Sequence, residues 1–292
     1  MTYPDKGYGP SGPAPWQQTS WDWRAAGNFI GGGVGSGLVV FAAVSGAHGA
    51  ALAVPMLLGL ALVGLGLFCV SLELGRPLRA LRVLRNPRTS WMAREAWTSA
   101  LLFPVGLAAA AGVPACAEIA GALALVFVYC QARLLQAAKG IPAWREPLLV
   151  PLAVVTGLAE GAGLFIVVAL LYGGATPLLL IAFGALLIAR VLLWLAYRRR
   201  LAGKTAAGAS AALDRAGVVL QVAGTAVPLV LAAIAGFVAG GAVLPLVVAA
   251  GLLAAFAGAY VKFTLITRAG FNQGFALAHA PVRGRALQTK GT

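Results

Sequence analysis

The stretch AGNFIGGGVGSGLVVFAAVS, residues 26–45, contains no charged side chain and is as long as the roughly 20 apolar residues a membrane-crossing helix needs. Seven further apolar runs follow at 51–73, 94–113, 115–138, 148–172, 176–197, 216–239 and 243–266. Each is too continuous for the alternating pattern of a barrel strand. Glycine and proline punctuate the breaks, at Gly46, Gly75, Pro77, Gly112, Pro114, Gly140, Pro142, Gly173, Gly174, Gly240 and Gly241. The pattern predicts an all-α membrane protein of about eight transmembrane helices, with a polar arm over 1–24, a membrane domain over 25–267 and a basic tail over 268–292. Composition agrees: of 292 residues, 60% are hydrophobic and 10% charged, and the mean hydropathy is +0.88. Soluble domains carry about 25% charged residues, so an ordinary soluble globule is excluded.

Lys and Arg number 22 against 8 Asp and Glu, a net charge of +14. In a soluble chain that balance would suggest nucleic acid; among apolar spans it reports orientation, and no nucleic-acid partner is expected. Eight spans place both termini on one side with the connections 74–93, 139–147 and 198–215. Every Lys and Arg falls on that side or in the nearer half of a helix. The connections near 46–50, 112–115, 173–176 and 240–243 contain none. The positive-inside rule then puts both termini in the cytoplasm of a multi-pass protein of the bacterial inner membrane. Trp16, Trp21, Trp23, Trp91, Trp97, Trp144 and Trp194 share that side, as interfacial or partner-contacting aromatics would. Residues 1–24 carry no net charge, from Asp5, Lys6, Asp22 and Arg24. They lack both a basic region before a short apolar core and adjacent arginines, so the first span is expected to be retained.

Within 26–45, Gly31 pairs with Gly35 and Gly33 with Gly37 at four-residue spacing, the pattern that lets membrane helices approach closely. The run misses the dinucleotide-binding register and follows no strand. Helix packing is the favoured reading, and room for a flat ligand beside the first helix is the alternative. Cys69, Cys116 and Cys130 are too scattered for a disulfide, zinc or iron–sulfur cluster, so no cluster is expected in this chain. The two histidines, His48 and His279, fall on opposite faces about 30 Å apart, and no haem is expected.

Charged residues inside spans are costly and are functional suspects. Glu160, Arg190 and Lys262 lie within helices, and Glu73, Glu95 and Arg133 near helix ends. At 1.5 Å per residue, Arg190 sits roughly 12 Å below the Arg198 end of its helix and Glu160 roughly 20 Å below the start of its own. Those depths permit a Glu160–Arg190 contact if the helices are neighbours. With Asn28, Tyr129 and Gln131 they form a polar cluster in the cytoplasmic half. Interhelical pairing and a functional site both fit it. The connection LELGRPLRALRVLRNPRTSWMARE, residues 72–95, spaces Arg76, Arg79, Arg82, Arg85 and Arg88 every three residues. Beside Trp91 they make a basic edge, read as a solvated or lipid-contacting loop or as a docking surface for a protein subunit.

The segments LGRP (74–77), NPRTSWMARE (86–95), IPAWREP (141–147) and RAGFNQGFALAHAPVRG (268–284) resemble the NrfD and DmsC type of membrane subunit, which anchors molybdenum oxidoreductases of the dimethyl sulfoxide reductase and polysulfide reductase kind. The resemblance covers nearly all of the chain after residue 20. It implies two four-helix bundles, no haem, a four-cluster iron–sulfur subunit docked on the side of the termini, a molybdopterin catalytic subunit beyond it, and a quinone site just beneath. Polysulfide reductase relatives use an Asn and a His one turn apart on the first span and a Tyr on the fourth. Asn28 and Tyr129 match the Asn and Tyr, whereas the His position falls on Gly31.

The expected function is that of a membrane anchor and quinone-reactive subunit in anaerobic respiration, not catalytic on substrate alone. Ubiquinone or menaquinone would bind near Asn28, Tyr129, Arg133, Glu160 and Arg190, with Glu160 as a candidate proton relay. The inside-positive docking face favours quinone reduction for a cytoplasm-facing enzyme of the phenylacetyl-CoA:acceptor oxidoreductase kind. The alternatives are a quinol-oxidising anchor of a periplasmic sulfoxide or sulfur-compound reductase, and a transporter in which Glu160 and Arg190 bind substrate or carry protons.

Overall fold

A computed structural model describes residues 8–9, 12–73, 84–172, 177–238 and 240–274. Apart from a two-residue strand pair (Tyr8–Gly9 with Gly12–Pro13) and one isolated bridge, regular structure among them is helical. In order they are α1 (Trp23–Val44), α2 (Ala50–Ser71), α3 (Trp91–Ala110), α4 (Cys116–Ala137), the short α5 (Pro142–Arg145), α6 (Leu149–Leu171), α7 (Pro177–Leu201), α8 (Ala207–Gln221), α9 (Val227–Ala235) and α10 (Val243–Thr267). A π-helical turn, Val222–Ala226, joins α8 to α9, so Ala207–Ala235 is one rod of 29 residues. Seven of these helices are long and apolar enough to cross a membrane. The eighth long one, α3, carries Arg94 and Glu95 in its first two turns.

Local chemistry sets the ends. Asp22 caps α1 by accepting from the Arg24 N–H at 2.8 Å; the Arg24 guanidinium, together with this cap contact, holds the Asp22 carboxyl below its ordinary pKa. Ser90 caps α3, accepting from Ala93 N–H at 3.3 Å. That cap starts α3 three residues before the apolar run, and Gly112, at φ +84°, follows its end. Likewise α8 begins nine residues ahead of the expected 216, because the alanine-rich 206–213 stretch sustains helix across Asp214 and Arg215.

The expected pair of bundles is visible in the packing. α1 to α4 form one, α6 to α10 the other, and α1 against α6 joins them. Small residues make the joint. A Cβ on Gly35 would lie 2.8 Å from Val63 N on α2, and one on Gly157 of α6 would lie 2.9 Å from the Gly33 carbonyl. Gly31 and Gly35 therefore serve α2 while Gly33 and Gly37 serve α6, so the packing reading of these glycines holds.

Two apolar clusters stack along the bundle. One runs from Phe29, Trp144 and Leu149 to Leu265 at the end bearing the arm, the other from Leu38, Phe127 and Phe165 to Val247. At the arm end, Gln18 N–H donates to Gly270 O at 2.8 Å and Asn272 N–H to Trp16 O at 3.1 Å, with Gln17 opposite Phe271. Trp21 packs on Trp144 at 5.0 Å, and Trp144 Nε1–H donates to Leu265 O at 2.9 Å. The two ends of the membrane domain thus meet, which requires an even number of traverses between them.

Gly161→Leu, which drives a side chain into the α1 backbone, is expected to cost at least about 1 to 3 kcal/mol and to lower the unfolding midpoint of the detergent-purified protein. Gly140→Ala, where a Cβ meets nothing, is expected to leave it unchanged.

Candidate functional site

Among the described residues, twelve buried polar or charged side chains punctuate the apolar interior, and several converge where α1, α3 and α4 meet. Asn28 Nδ2 donates to Glu95 Oε1 at 3.2 Å, and Gln131 Nε2 donates to the Asn28 backbone carbonyl at 3.0 Å. All three are buried, at 3%, 4% and 2% exposure. The Gln131 carboxamide sits where position 32 has no side chain: a Cβ there would lie 2.6 Å from its Oε1. Asn28 Oδ1 has no hydrogen-bond partner among the described residues. A buried acceptor of that kind normally finds a donor.

One turn nearer the arm end stands Trp91. The Arg94 guanidinium lies 4.1 Å and that of Arg133 4.8 Å from its ring, while Tyr129 meets its edge at 5.8 Å. Tyr129 is 41% exposed. An open cavity of about 530 Å³ begins here, lined by Trp91, Arg133, Gln136, Ala137, Lys139 and Arg145. Arg94 also donates to Pro87 O at 2.8 Å and Arg88 O at 2.7 Å, and Trp97 Nε1–H to Leu84 O at 3.0 Å. The end of the basic connection is thereby tied to α3, with Arg85 and Arg88 exposed on it.

A third group lies deeper, between the two apolar clusters. Lys262 Nζ of α10 donates to Glu160 Oε2 of α6 at 2.5 Å. Both groups fit into space vacated by glycine, since a Cβ on Gly33 would collide with the ammonium and one on Gly258 with the carboxylate. A cavity of about 30 Å³, lined by Gly33, Gln131, Lys262 and apolar neighbours, lies between this pair and the Asn28 cluster. That volume accommodates about one water.

Arg190, fully buried on α7, donates to the carbonyls of Ala254, at 3.1 Å, and Gly224. The second bond has a local cause. Pro228 has no N–H to return to the carbonyl four residues back, which is that of Gly224, and the π turn occurs at the same place.

The five residues expected around a quinone therefore fall into four settings. Asn28 joins Glu95 and Gln131; Tyr129 and Arg133 flank Trp91; Glu160 pairs with Lys262; Arg190 binds the carbonyls of Ala254 and Gly224. Glu160 and Arg190 share no hydrogen bond or ion pair among the described residues. Of the expected docking residues, Trp91, Arg85 and Arg88 are at the surface or near it, while Arg76, Arg79 and Arg82 lie outside the described residues, as does His279. In the sequence Gln131 and Lys262 stand out only as members of a diffuse cluster, and Glu95 only as a charge near a helix end. The signal that places two of them is the gap each fills, at Gly32 and Gly33.

Removing one partner of a buried pair strands the other charge, at a cost of about 3 to 5 kcal/mol. Glu160→Gln and Lys262→Met are each expected to lower the unfolding midpoint sharply, and the double substitution to recover most of the loss. A double variant as unstable as the sum of the singles would show the two side chains to be uncoupled.

A search of curated proteins returns no match to this chain. Among protein families, the one described as DMSO reductase anchor subunit (DmsC) matches residues 24–197. The match begins at the first turn of α1 and ends one turn before the end of α7. It takes in Asn28, Glu95, Tyr129, Gln131, Arg133, Glu160 and Arg190, leaving Lys262 beyond it. An all-helical membrane fold and a match over more than half of the sequence support one assignment: the chain belongs to the DMSO reductase anchor subunit (DmsC) family.

Proposed function

We propose that this chain is the membrane anchor of a molybdenum and iron–sulfur oxidoreductase and exchanges electrons between its partner's clusters and a membrane quinone, ubiquinone or menaquinone. The partners would be a four-cluster iron–sulfur subunit and a molybdopterin catalytic subunit, docked at the end of the bundle where arm and tail meet. The observation that carries the reading is the buried Asn28–Glu95–Gln131 cluster, with an unpartnered Asn28 oxygen, one turn beneath the aromatic and cationic surface around Trp91.

A quinone supplies two-electron, two-proton redox chemistry and presents carbonyl acceptors when oxidised and hydroxyl donors when reduced. The residues present fit it. Asn28 Oδ1 accepts from a hydroxyl, Tyr129 both donates and accepts, and Glu95, one hydrogen bond from Asn28, is the nearest carboxyl to take or give a proton. Glu160 and Lys262 lie across the small cavity and form a second place where a proton can be held.

The basic end is assigned to the cytoplasm of the bacterial inner membrane by the charge asymmetry of the connections, which favours quinone reduction on behalf of a cytoplasm-facing enzyme such as phenylacetyl-CoA:acceptor oxidoreductase. A second reading, quinol oxidation for a sulfoxide reductase, is favoured by the description of the matched family.

In the assembled complex, Asn28→Ala and Glu95→Gln are expected to cut quinone-coupled turnover at least about tenfold, equivalent to about 1.4 kcal/mol. Turnover with a soluble artificial acceptor should persist. Equal loss of both activities assigns these residues to folding, and no loss places the quinone elsewhere. A periplasm-dependent phosphatase reporter fused after Thr292 should be silent; strong activity would move the partners to the opposite face.

A further inference from the structure

The largest cavity given above is unlike its neighbour in charge. Arg133, Lys139 and Arg145 line it without any carboxylate. The adjoining cavity of about 430 Å³ is lined by Arg145, Lys204 and Glu146, and Glu146 is itself paired with Arg200 at 3.6 Å. Around the larger cavity, the cations have only neutral partners among the described residues. Arg145 donates to Gln273 Oε1 at 2.7 Å and to Lys139 O at 3.5 Å. Arg133 lies on the Trp91 ring and forms no ion pair among the described residues. Stacking on an aromatic face fixes a guanidinium while leaving its edge free for a bidentate anion.

We propose that this cavity binds the phosphodiester headgroup of an anionic phospholipid. Its position favours a lipid over a free anion. Trp91 and Tyr129 mark the level at which aromatic side chains sit between hydrocarbon and water. Tyr129, which meets the edge of the Trp91 ring, is 41% exposed and gives the cavity a flank suited to an acyl chain. Basic pockets among membrane helices on the cytoplasmic side recognise such headgroups, and the volume falls in the range of small-ligand sites, about 300 to 1,000 Å³. The bound phosphate would neutralise the cations at the mouth of α4, next to the surface assigned to the partner subunits.

The full-length chain, purified in a zwitterionic detergent, tests this by thermal unfolding with phosphatidylglycerol, phosphatidylcholine or inorganic phosphate, and by native mass spectrometry. Phosphatidylglycerol is expected to raise the midpoint and to remain bound in the mass spectrum. Lys139→Gln with Arg145→Gln should cut that shift at least about threefold, while Lys139→Arg with Arg145→Lys should retain it. Should the double glutamine variant unfold, Lys139→Gln alone, at an exposed position, gives the same comparison. An equal shift with phosphatidylcholine, an equal shift with inorganic phosphate, or a shift that survives the glutamine substitutions would each overturn the proposal. So would glutamine variants that keep the lipid yet lose the catalytic subunits, which would mark the cavity as a protein contact.

Discussion

The bundle depends on the close approach permitted by a helix that is nearly bare along several of its faces. α1 offers Gly31 and Gly35 to α2, Gly33 and Gly37 to α6, and Gly32 to the side chain of Gln131. In hydrocarbon there is no hydrophobic gain from bringing two apolar helices together, so backbone proximity and the dispersion contacts it allows must supply the association. Because α1 touches α2, α4, α6 and α10, its glycines set the distance between the two bundles as well as the packing within the first. A Cβ on any of these glycines would meet a neighbouring element within 3 Å.

The same bareness explains how the interior tolerates charge. A membrane-embedded carboxylate or ammonium is costly without a partner, and partners need room. Gly33 and Gly258 provide it for Lys262 and Glu160, while Gly32 provides it for Gln131. The result is a polar seam between two apolar clusters, in which each charged group is tied to a different helix from its own: Glu95 to α1, Glu160 to α10, Arg190 to α10 and the π turn. Arg190 illustrates a different economy. Its guanidinium takes up a carbonyl that proline leaves without its usual donor, so a residue suspected of chemistry is held by backbone repair.

Much of the fold was legible in the chain. Continuous apolar runs, broken by Gly and Pro, located the long helices, and small residues four apart identified the contact faces of α1. Helix starts were less so, since the Ser90 cap and the alanines before Asp214 extend α3 and α8 beyond their apolar runs. The site was legible in kind and not in pairing. Depth along a helix suggested Glu160 with Arg190, but depth says nothing of azimuth, and the partner proves to be Lys262, 102 residues away. The resemblance set Tyr129 beside Asn28 and depth set Arg133 in the same cluster, yet of Tyr129, Gln131 and Arg133 it is Gln131 that bonds to α1. What orders these side chains is three-dimensional vacancy, and a string of glycines announces vacancy without naming its occupant.

The span between Glu160 and Lys262 also has a consequence for biogenesis. A ribosome working at about 5 to 20 residues per second delivers α6 to the membrane roughly 5 to 20 s before α10. Throughout that interval the carboxylate has no ammonium to meet, although Arg190 emerges in between. Until α10 arrives, the space at Gly33 that the Lys262 ammonium takes stays open, and Glu160 on α6 lacks its partner. The clasp between Gln17 and Phe271 can close only after α10 has been made, so the order of synthesis leaves the joining of the two chain ends until last.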